Sequence, residues 1–457
     1  MNLNMKNIPC LSYPLPDDVM CLKYAGEYEA ERDLIDALLE RDLPQPLRER
    51  LMMERLFIQG MIENYTIEYQ DGLEKLEEEI QDFNVDELKI LMIGGHLDWR
   101  LNQGNLVFHR YFFSSLLINA PVLRHRLKDK KLRDKWLLQD TMFDDNVEIL
   151  KNKGKRAFRF HIKHWISPSD DVFVPGQRLR VHLPFPLKND EQRRIELKDS
   201  SPGIVISDGP QRTAYFEAAP KENAPFFIEY TYEYHLQYAD LSQTFEASKP
   251  ARGFEAFVCE RLPHIRFTPY LRALLCEILE GKETALEQAR AIYDFVTQNV
   301  KYAYMRDYFL IENITEFAGS NLRGDCGVQT LLFMTLCRMI GIPTRWQSGF
   351  SAKPGSVGSH DWCQFYVHPF GWLYCDLSYG GEAWRSGNME RWNHYFGNLD
   401  PFRMVANSEF QTEFNPVRRF MRNDPYDNQT GEIETDHGPL ADSQVKRGRE
   451  MLDASEI

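Results

Sequence analysis

Three side chains in the second half of the chain have the types and the order needed for nucleophilic catalysis. Cys326 lies in the sequence GDCG, His360 follows a glycine-rich loop, and Asp376 comes shortly after His360. A thiolate is a nucleophile, and an imidazole can take its proton and pass it to a leaving group. A carboxylate can fix the tautomer and orientation of that imidazole. These residues could therefore form a thioester with the carbonyl carbon of an amide.

The segment after Cys326 is predicted to be a buried helix that begins at the cysteine. VQTLLFMTLCRM has apolar residues at helical spacing, and Gly341 and Pro343 end the pattern. The N–H groups and the dipole at a helix N-terminus stabilise negative charge. We therefore expect this position to lower the pKa of the Cys326 thiol.

His360 and Asp376 are predicted to lie on neighbouring antiparallel strands. HDWCQFYV alternates after His360, and GWLYC precedes Asp376. The turn signal between these runs is Pro369-Phe370-Gly371. A hairpin of this length would place the two side chains together.

These motifs, in this order, resemble the transglutaminase-like superfamily. The resemblance covers about residues 255–385 and rests on GDCG opening a helix, GIPTR, a glycine-rich loop, HDW and GWLYCD. It implies an α+β, papain-like core in which a helix bearing Cys packs on an antiparallel sheet bearing His and Asp. By this resemblance Cys326 is the nucleophile, His360 the general base and acid, and Asp376 the orienting residue.

The match has departures that affect substrate preference. Asp361 stands where the family usually has a small residue, Gln364 replaces a frequent acidic residue, and Leu377-Ser378 replaces Pro-Thr. For the oxyanion, the backbone N–H of Cys326 is one expected donor. Tyr302, Tyr304 and Asn321 are candidate side-chain donors.

The remainder of the chain divides by pattern into other regions. Residues 1–150 are mostly of helical period, and 151–245 alternate as an antiparallel, β-sandwich-like domain. The catalytic domain is expected over 246–420. Residues 421–457 are polar and weakly periodic, and we expect a tail that wraps the surface or is partly disordered.

Composition excludes several classes of function. The formal charge of −14 argues against nucleic-acid binding. Eight cysteines form no CxxC pair, and no zinc or EF-hand spacing occurs, so no metal or other cofactor is implied. Cys337, Cys363 and Cys375 are expected in the core. No signal peptide or membrane-spanning run is evident, which predicts a cytoplasmic protein.

The leading hypothesis is acyl transfer from an amide in a peptide or protein, with hydrolysis favoured. The sequence leaves open amine transfer, as in a protein-glutamine transglutaminase, and a catalytically silent binding module of the same fold. A peptide N-glycanase is disfavoured because relatives of that kind commonly have paired CxxC motifs before the core. Oligomeric state is not predicted.

Overall fold

A computed structural model of the chain describes residues 3–242, 253–304, 308 and 311–457. The expected boundary at 245/246 lies outside the described residues. Within the described part, no helix combines the length and apolar character needed to cross a membrane.

The N-terminal region contains helices and one small antiparallel sheet. Its apolar side chains form separate small cores, because each short amphipathic helix buries one face against its neighbours. The sheet has the order β1-β3-β2. The elements are α1 Asp17–Ala25, α2 Tyr28–Leu39, α3 Gln45–Asn64, β1 Ile67–Glu68, α4 Tyr69–Glu79, α5 Val85–Ile93, β2 Trp99–Asn102, β3 Asn105–Phe108, α6 Phe112–Asn119 and α7 Lys130–Lys153.

A pair of antiparallel sheets follows, as the alternating pattern predicted. Tyr230, Tyr232 and Tyr234 point inward on one strand, and Phe160 stacks on Tyr232 across the neighbouring strand at 5.1 Å between ring centroids. Such cross-strand aromatic pairs stabilise a sheet face. The strands in this stretch are β4 Lys155–Pro168, β5 Leu179–Pro184, β6 Gln192–Ser200, β7 Val205–Ser207, β8 Thr213–Ala218 and β9 Phe226–Gln237.

The third region is a five-stranded antiparallel sheet that packs on a helical layer. Its order is β15-β14-β13-β12-β16, and the α+β class is confirmed. The elements are α8 Pro269–Ile278, α9 Ala285–Asn299, β10 Lys301–Tyr302, α10 Ile314–Asn321, β11 Arg323–Gly324, α11 Cys326–Met339, β12 Thr344–Lys353, β13 Ser356–Val367, β14 Gly371–Cys375, α12 Leu377–Arg385, α13 Met389–His394, β15 Phe396–Gly397 and β16 Arg403–Asn407.

Helix α11 is the centre of this region. Every residue from Gly327 to Arg338 is buried, so the helix is enclosed on all sides. Cys337, Cys363 and Cys375 lie in its core, as expected. Residues on the opposite face of the sheet, including Phe350 and Trp362, pack with the inward faces of β4 and β9. The sheet therefore lies between two apolar layers.

The C-terminal residues differ from the expected tail. They form β17 Glu432–Glu434, which pairs with β5, and β18 Val445–Glu456, which pairs with β4 along most of its length. β18 is an edge strand with mostly exposed or half-buried side chains, and charged residues are typical of such edges. The polar composition that suggested a tail is thus the signature of a sheet edge.

Candidate active site

Cys326 is the first residue of α11, as predicted from the sequence. The side chain of Asp325 caps the helix by accepting a hydrogen bond from the N–H of Val328 at 3.2 Å. The N–H of Gly327 donates to the hydroxyl of Tyr308 at 3.1 Å. A Cβ at Gly327 would lie 2.3 Å from that hydroxyl, so a side chain at this position would require Tyr308 to move.

His360 and Asp376 are brought together by β13 and β14. These strands pair antiparallel, with Cys363 opposite Cys375, and His360 Nε2 lies 2.7 Å from Asp376 Oδ2. A carboxylate only accepts hydrogen bonds, so Nε2 carries the proton and Nδ1 holds the lone pair. Asp376 also caps α12 by accepting from the N–H of Tyr379 at 3.0 Å. The hydrogen bond thus selects the tautomer that can act as a base at Nδ1.

A buried arginine from β16 holds Asp376 in its charged form. Arg403 Nη1 lies 2.8 Å from Asp376 Oδ2, and the same guanidinium pairs with Asp400 at 2.5 Å. Burial alone would raise the pKa of Asp376, but His360 and Arg403 lower it to about 2. Asp376 is therefore an anion throughout the neutral range.

The imidazole of His360 is held between aromatic rings. Its ring lies 4.3 Å from that of Tyr379 and 5.9 Å from that of Trp362, both nearly parallel. Burial lowers the pKa of His360, and Asp376 only partly opposes this effect. The ring is consequently neutral at pH 7 and fixed in orientation.

Asp361, rather than His360, makes the recorded hydrogen-bond contact with the sulfur. Cys326 Sγ lies 3.4 Å from Asp361 Oδ2. Among the hydrogen bonds of the described residues, none joins Cys326 directly to His360. Asp361 also accepts from Gln429 Nε2 at 2.6 Å, and Gln429 donates to the carbonyl of His360 at 3.1 Å. The residue that departs from the family pattern is thus part of the site.

This acidic environment reverses the expected effect of the helix terminus. Burial, Asp361 and Asp325 raise the pKa of the Cys326 thiol well above its usual value. Burial and the charge of Asp325 likewise raise the pKa of Asp361. The hydroxyl oxygen of Tyr308 lies 2.6 Å from Asp325 Oδ1 and 3.2 Å from Asp361 Oδ2. Its one hydrogen can serve only one of these acceptors, which leaves the Cys326 thiol as a donor to Asp361 and favours the neutral thiol.

The candidate hydrogen-bond donors to the oxyanion differ in exposure and in their present partners. The N–H of Cys326 is in the first turn of α11, where backbone N–H groups have no intrahelical acceptor. Tyr304 is 36% exposed and lies close enough to Cys326 for the two groups to interact electrostatically. Tyr302 is buried. Asn321 donates back to the carbonyl of Phe317 at 3.1 Å, so Tyr304 is the better placed of the three side chains.

Sequence reasoning missed several residues of the site. Arg403, Tyr308 and Gln429 lie outside the motif and carry no local signal. Asp361 was visible as a departure from the family, although its contact with the sulfur was not foreseen. Among the described residues, no group of three His, Cys, Asp or Glu side chains is arranged to hold a metal ion.

Comparison with known proteins identifies the segment that carries this site. Residues 272–377 match the model of the transglutaminase-like superfamily. No curated protein sequence matches the chain.

Among solved structures, the chain is similar to a candidate cysteine protease from Cytophaga hutchinsonii. The identity is 15%, with 66% of this chain and 91% of that chain covered at a TM-score of 0.42. It is also similar to the periplasmic domain of TgpA from Pseudomonas aeruginosa. That identity is 15%, with 54% of this chain and 95% of that chain covered at a TM-score of 0.30.

The family match includes Cys326, His360 and Asp376 and ends one residue after the aspartate. The chain therefore contains a core of the transglutaminase-like superfamily over residues 272–377.

Proposed function

We propose that the chain is an enzyme that breaks amide bonds through a thioester on Cys326, with water as the final acceptor. The observation that carries this proposal is the hydrogen bond of 2.7 Å between His360 Nε2 and Asp376 Oδ2, which leaves Nδ1 as a base. Cys326, at the start of α11, supplies the nucleophile within the same family core. A peptide or protein is the proposed substrate.

In the proposed reaction, the thiol of Cys326 and the imidazole of His360 both start without charge. Cys326 Sγ attacks the carbonyl carbon while its proton passes to His360 Nδ1, and Asp376 stabilises the resulting imidazolium. The N–H of Cys326 and the hydroxyl of Tyr304 are proposed to hold the oxyanion. His360 then gives the proton to the departing amine. Water, deprotonated by His360, attacks the thioester and restores the thiol.

Solvent access supports hydrolysis over transfer to an amine. Cys326 is partly exposed although its neighbours in α11 are buried, so water can reach the thioester. An amine acceptor would use the same thioester, and the two outcomes differ only in product.

The test is product analysis of glutaminyl and other peptides, with and without a primary amine. We expect ammonia or a free peptide amine from the wild-type protein and at least a ~100-fold loss in Cys326→Ala, because the nucleophile is absent. Cys276→Ala changes an exposed cysteine elsewhere and should have full activity. Amine incorporation in place of hydrolysis would identify a transglutaminase. Equal activity in Cys326→Ala would contradict the proposal.

A silent binding module is a second candidate, favoured by one observation. The pKa of the Cys326 thiol is raised, and the recorded contact of its sulfur is an acid instead of a base. Incubation with a p-nitrophenyl ester followed by mass spectrometry separates the candidates. Acylation of Cys326 that is lost in His360→Ala supports the enzyme. Absence of both an acyl adduct and p-nitrophenol release above that of Cys326→Ala over hours supports the binding module.

A further inference from the structure

A cavity of about 880 Å³ lies between the N-terminal helices and the segment that precedes Cys326. α1, α2 and α3 form one side, and α10 and β11 form another. This volume is within the range of cavities that bind small organic molecules. Arg323, on its wall, is three residues from Cys326, but the cavity lining does not include the cysteine.

Glu31 of α2 lines this cavity and lacks a hydrogen-bond donor. Its side chain is fully buried, and neither carboxyl oxygen receives a hydrogen bond from the described residues. Burying a carboxyl group without a donor is costly, so such a group usually serves a ligand or holds a proton. Burial and the neighbouring Glu54 raise the pKa of Glu31 to about 8. The acid is therefore mostly protonated at pH 7.

The cations around the cavity already have acidic partners. Lys23 Nζ lies 2.8 Å from Glu54 and 3.0 Å from Glu312. Arg323 and Arg100 both pair with Asp98, at 2.9 Å and 3.4 Å. Among the described residues, none of these cations lies at ion-pair distance from Glu31; Lys23 and Arg50 act on it only from further away, and its hydrogen-bonding neighbour is the carboxyl group of Glu54. A ligand cation could therefore pair with Glu31 without displacing a cation of the described chain.

Part of the cavity wall is aromatic. Tyr24 and Trp99 both line the cavity, and they are 73% and 36% exposed. Aromatic faces attract organic cations, and apolar walls accept the body of the same molecule. The carboxyl group of Glu31 and the aromatic part of the cavity wall together suit a ligand that carries an ammonium group on an apolar body.

We propose that this cavity binds a small organic ammonium ion, whose charge replaces the proton of Glu31. Binding deprotonates the carboxylic acid, releases one proton to solvent, and forms an ion pair between the carboxylate and the ammonium group. The site is separate from the proposed thioester chemistry and does not depend on it. Because the exchange releases a proton, the apparent affinity should increase by about tenfold for each unit by which the pH is raised toward 7, and should fall as the pH is lowered.

The experiment is titration calorimetry of the full chain with benzylammonium at pH 7, in two buffers of different ionisation enthalpy. We expect release of close to one proton, whereas neutral benzyl alcohol should bind more weakly with no release. Glu31→Gln keeps the shape and can donate to Glu54, so it should fold. It should weaken benzylammonium binding at least ~10-fold, abolish proton release, and leave benzyl alcohol binding unchanged.

Glu29→Gln is the matched control, because it removes the same charge from an exposed position on the same helix. It should bind benzylammonium as the wild type does. Three results would overturn the proposal: no binding of benzylammonium, binding without proton release, or an equal affinity in Glu31→Gln.

Discussion

Asp361 is the charged side chain with the largest effect on the pKa of Cys326, the proposed nucleophile. It lies 3.4 Å from Cys326 Sγ and is held there by Gln429 and Tyr308. The carboxylate opposes a thiolate by repulsion and accepts the hydrogen of the thiol, and both effects raise the pKa of Cys326. The small residue usual in the family would remove this effect. We infer that Asp361 makes the resting thiol less reactive.

Replacing Asp361 with asparagine should activate Cys326. The amide oxygen still accepts from Gln429, while the amide nitrogen donates to sulfur or to Tyr308, so the thiol pKa falls. Alkylation by iodoacetamide at pH 8 should accelerate by roughly tenfold for each pH unit by which that pKa falls. Asp424→Asn is the control, because Asp424 raises the pKa of Asp361 but is not one of the main charges that raise the pKa of Cys326, so this variant should not accelerate alkylation. An unchanged or slower rate in Asp361→Asn would refute this role.

The pH dependence of kcat/KM should reflect a neutral thiol and a neutral imidazole. His360 has a lowered pKa, so its protonation should reduce activity only on the acid side of its ordinary value of 6.5. The thiol has a raised pKa, so activity should hold to at least pH 9. A profile that rises near pH 4 and falls near pH 8 would instead show a thiolate–imidazolium pair.

At the scale of residues, the sequence predicted that His360 and Asp376 lie close together, but it did not predict the protonation state of Cys326. The hairpin of β13 and β14 follows from alternation and a turn, so the His360–Asp376 pair could be foreseen. The protonation state of Cys326 could not, because it depends on Asp361 and Tyr308, which converge on it from other segments.

At the scale of elements, the first turn of α11 depends on close contact with Tyr308. Gly327→Ala should displace Tyr308, since the new Cβ would lie 2.3 Å from its hydroxyl. The links to Asp325 and Asp361 would then be lost, and kcat/KM should fall by at least ~10-fold while Cys326 is unaltered. Gly358→Ala on β13 adds a methyl group where no atom lies within 4 Å and should be silent. Equal activity in both variants would show that the Tyr308 contact is not needed.

Elements with a strong local signal were predictable. Thr284 caps α9 with Glu287 three residues later as a capping box, a spacing that is readable from sequence alone, and α11 ends just before Gly341. The C-terminal end of α4 could not be predicted from the spacing of apolar residues. Ile80 continues the apolar spacing but leaves the helix to bridge to Leu127, a tertiary contact that periodicity does not reveal.

At the scale of the whole molecule, the C-terminal strands complete a sheet begun nearly 300 residues earlier. Deleting residues 443–457 would expose the edge of β4, which pairs with β18 from Phe158 to Pro168. We expect a lower thermal midpoint and self-association, because an unpaired edge recruits other strands. Thermal unfolding and size-exclusion chromatography measure both effects.

Gly448→Ala provides a milder comparison. Its Cβ would lie 2.5 Å from the ring of Trp165, so it should reduce stability while β18 still covers the edge. Self-association should therefore be confined to the deletion variant. A deletion variant with an unchanged midpoint and a monomeric elution volume would contradict this account of β18.

The pairing of β18 with a strand remote in the sequence also explains why β18 could not be predicted from the sequence. β18 has no apolar alternation, since neither of its faces is deeply buried, and its partner strand is remote along the chain. A local pattern can reveal which segments are strands with a buried face. It does not reveal an edge strand whose stability comes from backbone pairing.

The dependence of His360 on residues far downstream affects the protein during its synthesis. Asp376 is held by Arg403, and Gln429 binds the carbonyl of His360. A chain still growing on the ribosome has neither contact until those codons have been translated and the residues have left the exit tunnel. The complete arrangement around His360 therefore forms only when most of the protein has been made, so a nascent chain that is still unfolded is not exposed to its own assembled candidate active site.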